Sequence, residues 1–107
     1  MNVKIKVLSD FCPPDVQVTF YLSKMLTEEQ EQYLDRIITA WYDIGTHKGY
    51  GEGPLHNLHD VIFDDEQTIY LSIDMGRCPI SALEVLYKVV IDALDTYGVK
   101  VEKIELE

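Results

Sequence analysis

His47, His56 and His59 fall close together in the chain, and Asp60, Asp64 and Asp65 follow them. Three imidazoles with nearby carboxylates are the donor set of a zinc or other transition-metal site. The spacing argues against one. His56-x-x-His59 would present both rings on one side of a helix, but this stretch has no helical periodicity, and on a strand residues three apart face opposite ways. Neither a Cys-x-x-Cys pair nor a His-Glu-x-x-His helix accompanies them. The three histidines are metal candidates only if a loop gathers them, and no cofactor is expected.

Gly76-Arg77-Cys78-Pro79 holds the second chemical possibility. A thiol just before a helix N-terminus and beside an arginine has its thiolate favoured by both positive fields, and the histidines offer a conceivable base. Arg77 with the first amides of that helix would equally suit an anion. No Asn or Asp partner can be assigned, and a cysteine without such activation behaves as a small buried apolar residue. The two cysteines, Cys12 and Cys78, each precede a proline. A bridge between them stays open, although so few cysteines suit a reducing compartment. The run Gly49-Tyr50-Gly51-Glu52-Gly53 lacks the strand-to-helix context of a phosphate loop and carries a repelling Glu52, so it reads as a connector.

The chain has 107 residues, 47% hydrophobic, with 9 Lys plus Arg against 19 Asp plus Glu and a formal net charge of −10. Residues 1–53 hold five basic and eight acidic side chains, and residues 54–107 hold four and eleven, so the excess lies mainly in the second half. Nucleic-acid wrapping draws its affinity from clustered Lys and Arg, which this balance lacks. Met1-Asn2-Val3-Lys4 leads into an alternating pattern rather than an apolar signal stretch, and no apolar run reaches the roughly 20 residues of a membrane helix. A soluble, cytoplasmic chain forming a single domain over residues 1–107 is expected.

Periodicity supplies the elements that must position these residues. Val3-Lys4-Ile5-Lys6-Val7 alternates with a period of two and reads as a strand, its lysines suiting a sheet edge. Val16 to Leu22 resumes the alternation after Pro13-Pro14. Thr27-Glu28-Glu29-Gln30 is a capping-box pattern opening a helix whose apolar stripe is Leu34, Ile37, Ile38, Trp41 and Ile44, with Gly45 as its stop. Residues 45–55 form a glycine-rich connection. Leu58 to Phe63 and Thr68 to Asp74 form a hairpin around the polar turn 64–67. A second helix begins near Pro79 or Ser81, where Ser81-Ala82-Leu83-Glu84 repeats the capping pattern, and ends at Gly98; Val85 and Val89 widen its apolar stripe toward the first helix. Val99 to Leu106 is the last strand, and its parity change between Val101 and Ile104 implies either a bulge near Glu102-Lys103 or a strand end that faces two ways.

The element order is β-β-α-β-β-α-β. The expected fold is α+β: a two-layer sandwich with two helices on one face of a mainly antiparallel sheet, the split βαβ order of ferredoxin-like domains with an extra N-terminal strand. That order carries almost no functional information. On the sheet face away from the helices, Tyr21 and Tyr70 suit protein contact. Acidic residues gather at the hairpin (Asp64, Asp65, Glu66, Asp74) and along the first helix (Glu28, Glu31, Asp35), and such fields steer basic partners. These observations favour a small acidic, non-enzymatic domain that binds a basic protein, of inhibitor or immunity type, or that self-associates, with neither nucleic acid nor membrane as a partner. The competing expectation is a small metal- or cysteine-dependent enzyme or ligand-binding domain using His47, His56, His59 and Cys78.

Overall fold

The computed structural model describes residues 3–8, 15–47, 54–55, 57–64 and 67–107, without the side chains of Asp60 and Asp64. The chain runs β1 (Lys4–Val7), β2 (Val16–Leu22), α1 (Glu28–His47), β3 (Asn57–Asp64), β4 (Thr68–Asp74), α2 (Ser81–Thr96) and β5 (Val101–Leu106). The strands form one mixed sheet in the order β1-β5-β2-β4-β3. Strand β1 runs parallel to β5, while the β5–β2, β2–β4 and β4–β3 pairs are antiparallel.

Alternation decides which face of the sheet is covered. Val16, Val18, Phe20 and Leu22 of β2 and Ile69, Leu71 and Ile73 of β4 are buried, and the residues between them are half-exposed. Both helices lie on the buried side. Phe20 meets Tyr87 of α2 edge-to-face, with ring centroids 6.0 Å apart. Leu34, Ile38 and Trp41 of α1 share the same core cluster. The Trp41 indole N–H donates to the Ala82 carbonyl at 3.0 Å, and Tyr33 packs edge-to-face on Tyr97 at 5.7 Å. Contacts of 33 with 97 and of 41 with 82 make the helices antiparallel.

The helix ends show which local signals the backbone uses. At α1 the Thr27 hydroxyl accepts the Gln30 N–H at 3.2 Å, and the Gln30 side chain accepts the Thr27 N–H at 3.0 Å, a completed capping box. At α2 the capping position is Ile80, already in helical conformation with no side-chain cap, so Ser81 is the first helical residue rather than the cap. The carbonyls of Pro79 and Ile80 take the N–H groups of Ala82 and Leu83 instead. At the other end Gly98, at φ +72, donates to Asp95 while Val99 donates to Leu94, closing the helix with a left-handed residue.

Other expectations change as well. Helix α1 does not stop at Gly45 but continues to His47. Gly45 is buried, and its carbonyl accepts the Leu55 N–H at 2.9 Å, which ties the end of the connection back to the helix. Ile44, expected in the apolar stripe, points outward, as does Val85 on α2. In β1 the apolar residues Ile5 and Val7 are 47% and 61% exposed, lining with Ile80, Leu83, Glu84 and Tyr87 an open depression between the edge strand and α2.

The parity change in β5 is a bulge. Leu22 pairs with Val101 and Tyr21 with Lys103, which leaves Glu102 as the extra residue. A second irregularity interrupts β3, where Leu58 pairs with Ile73 and Asp60 with Ser72, so His59 is the extra residue there. The β3–β4 hairpin closes with Gln67 at φ 65, a left-handed turn position.

Candidate partner-binding surface

The residues expected to bind a partner separate onto two surfaces. On the open face of the sheet, pairing aligns one residue from each strand in a row: Lys6, Glu105, Thr19, Tyr70 and Ile62. The next row runs Lys4, Lys103, Tyr21, Thr68. Tyr21 and Tyr70 are therefore diagonal neighbours on adjacent strands. The face is not uniformly acidic, since Lys4, Lys6 and Lys103 occupy its β1 and β5 side.

Tyr21 is held within that face. Its hydroxyl donates to Glu105, and the Lys103 ammonium sits 4.4 Å from its ring centre. Lys103 also lies 3.7 Å from the Glu105 carboxylate. The Tyr21 hydrogen bond holds the Glu105 carboxyl below the ordinary Glu value, helped by the charges of Lys103 and Lys6. The same bond raises the Tyr21 phenol, because a donated O–H bond to a carboxylate favours the neutral form.

The second surface lies on the helix side, at the edge formed by β3. Glu28, Glu31, Gln32 and Asp35 of α1 stand along a groove whose other wall is Val61 and Phe63. The α1 residues lie three and four apart, so they form one flank of the helix. Val61 and Phe63 lie two apart, so they share one face of the strand. Both are half-buried and packed against the core. At Glu31 and Phe63 the groove runs into a neighbouring depression lined by Leu22, Met25, Leu26, Gln67 and Thr68. Carboxylates thus stand over partly exposed apolar surface, a combination that neither element shows in isolation.

Asp74 lies apart from this groove, its carboxylate accepting the Gly76 N–H at 3.0 Å in the turn after β4. Asp65 and Glu66 fall outside the described residues, as do His56 and Cys12, and the Asp64 side chain is not described. His47 is exposed at the end of α1, with Nδ1 2.8 Å from the Asp43 carbonyl. His59 is exposed at the β3 bulge, with Nδ1 3.2 Å from the Asn57 amide nitrogen. Among the described residues no three His, Cys, Asp or Glu side chains gather as a metal site.

Cys78 is buried as part of the core cluster, and its backbone N–H donates to the Met75 carbonyl at 2.9 Å. Arg77 is exposed, and the Ala82 and Leu83 amides are already bonded to the preceding turn, which removes two donors an anion would need. Among the described residues no helix is long and apolar enough to cross a membrane.

The groove escaped the sequence reading because its two walls are distant in the chain. The acidic flank of α1 is apparent in the sequence, but its apposition to Val61 and Phe63 depends on β3 taking the sheet edge beside α1. No protein-family model matches the chain, and no curated protein is significantly similar to it.

Proposed function

We propose that this chain is a small, cytoplasmic, non-enzymatic domain that binds a basic protein partner through the α1–β3 groove, in the manner of an inhibitor or immunity protein. The observation carrying this reading is the placement of Glu28, Glu31 and Asp35 over Val61 and Phe63. Carboxylates on a solvated helix supply solubility and steering charge, whereas carboxylates rimming an apolar strip add surface that gains by being covered. The net charge of −10 adds a long-range attraction of the same sign, although the lysine-bearing side of the sheet does not share it. The architecture under this surface is read as a ferredoxin-like two-layer arrangement, supported by the order β5-β2-β4-β3 with its antiparallel pairs, β1 being the added strand.

The tyrosine face takes a lesser part in this reading. Tyr21 is engaged by Glu105 and Lys103, and three lysines on that face oppose the approach of a basic partner. The test is affinity capture from the native host at moderate salt, comparing wild type with Glu28→Lys/Glu31→Lys/Asp35→Lys, whose fold is checked by circular dichroism. A basic protein retained by wild type and lost by the variant is the expected result. Equal retention by both proteins, or recovery of acidic partners only, would overturn the assignment.

A further inference from the structure

Strand β3 closes one edge of the sheet, and among the described residues no strand pairs with its outer side. Such an edge exposes a row of backbone N–H and C=O groups that can template another chain. The bulge at His59 disturbs only the first part of β3, so Asp60 to Asp64 pair regularly with β4 and keep an even outer ladder. The acidic groove runs beside this same stretch, with Val61 and Phe63 facing it. On the opposite face of β3, Ile62 is 48% exposed and stands in register with Tyr70.

We propose that the partner is held by strand addition, an extended basic segment pairing with the outer edge of β3. This rests on the functional reading above and specifies how the groove is occupied. A strand added about 4.8 Å beyond β3 points alternate side chains to the two faces of the sheet. On the helix side those side chains run out past Val61 and Phe63 toward Glu28, Glu31 and Asp35. Lys or Arg suits these positions, with an aliphatic stem lying on the apolar strip and a cationic head among the carboxylates. On the open side the residue aligned with Ile62 gains by being apolar, while the positions two residues to either side of it align with Asp60 and Asp64.

The dimensions agree. Glu28 and Asp35 are seven residues apart on a helix, about 10 Å along its axis. Two same-face residues of a strand are separated by about 7 Å. The acidic flank therefore spans two successive basic side chains. The recognised segment alternates Lys or Arg with apolar residues, a main-chain mode in which ladder hydrogen bonds give affinity and the alternate side chains give selectivity.

The probe is an acetylated, amidated decapeptide alternating lysine with valine, titrated into the intact protein at low salt with backbone amide shifts followed by NMR. Binding with shifts concentrated on the amides of residues 60–64 is expected. Methylating every second backbone nitrogen of the peptide keeps its charge but blocks one hydrogen-bonding edge, and should weaken binding at least about tenfold. Glu31→Gln/Asp35→Asn should weaken the unmodified peptide by about the same factor. If the methylated peptide, or a helical lysine–valine peptide of equal charge, binds as well while the carboxylate variant still weakens it, strand addition is overturned and the acidic groove stands. If the carboxylate variant leaves binding unchanged, or the peptide fails to bind at millimolar concentration, the proposal falls. Failure of the functional reading itself shows elsewhere, as retention of the native partner by the triple lysine variant.

Discussion

At the scale of single residues, Tyr87 shows how packing sets a side chain's chemistry. Its ring lies in the core against Phe20, and burial, with a smaller effect from the charge of Glu84, pushes its phenol up to about 12 from an ordinary 10.0. The folded value is the higher one, so folding favours the neutral phenol. Its contribution to stability is complete below pH 10 and is lost as pH rises toward 12. Phenolate absorbance should therefore show a step near pH 12 that Tyr87→Phe removes. Over the same interval wild type should lose denaturant resistance relative to that variant. The Tyr21 phenol is raised as well, so the comparison is made in a Tyr21→Phe background; a step there that survives Tyr87→Phe, or a stability difference that is flat from pH 9 to 12, would contradict the role given to burial at Tyr87.

At the scale of elements, two similar sequence signals have different outcomes. Thr27 and Gln30 exchange hydrogen bonds, so Thr27→Ala should cost about 1 kcal/mol. Ser81 has the same sequence context but sits inside the first turn, so Ser81→Ala should stay within about 0.5 kcal/mol of neutral. Urea unfolding of the two variants measures the contrast, and equal losses would contradict the end geometry described for α2. The difference is physical. A side-chain cap needs extended backbone at its own residue, and Pro79-Ile80 brings the chain into helical conformation one residue too early.

The same reasoning separates what was legible in the sequence from what was not. Alternation in β2 and β4 translates directly into buried faces, because a strand's period permits one reading, whereas the parity break in β5 fits either a bulge or a two-faced strand end and only the pairing with β2 shows the bulge. Gly45 misleads as a stop since a glycine can also lie inside a helix, and here it is buried in α1 with its carbonyl receiving the Leu55 N–H. Glu28, Glu31 and Asp35 were legible as a stripe. Their apposition to Val61 and Phe63 was not, because it depends on which strand lies at the sheet edge beside α1.

At the scale of the whole molecule, the net charge of −10 acts on folding and on binding in opposite senses. The protein has a radius of gyration of 13.0 Å and a longest extent of 35 Å. At about 0.01 M salt the screening length is roughly 30 Å, so like charges on opposite sides still repel one another; at about 0.15 M it is roughly 8 Å and that repulsion is confined to neighbours. Unfolding separates the charges, so self-repulsion lowers stability most at low salt. The thermal midpoint should therefore rise by a few degrees, roughly what 1 kcal/mol produces in a domain of this size, between those two salt concentrations. Association with a basic partner draws on the same field with the reverse dependence, and its on-rate should fall over the same range. Calorimetry and stopped-flow binding on one preparation test both effects. A midpoint that falls with added salt would mean that local attractions such as Lys100–Asp95 and Lys103–Glu105 outweigh the net repulsion, and the charge would then act as paired surface groups rather than as one field.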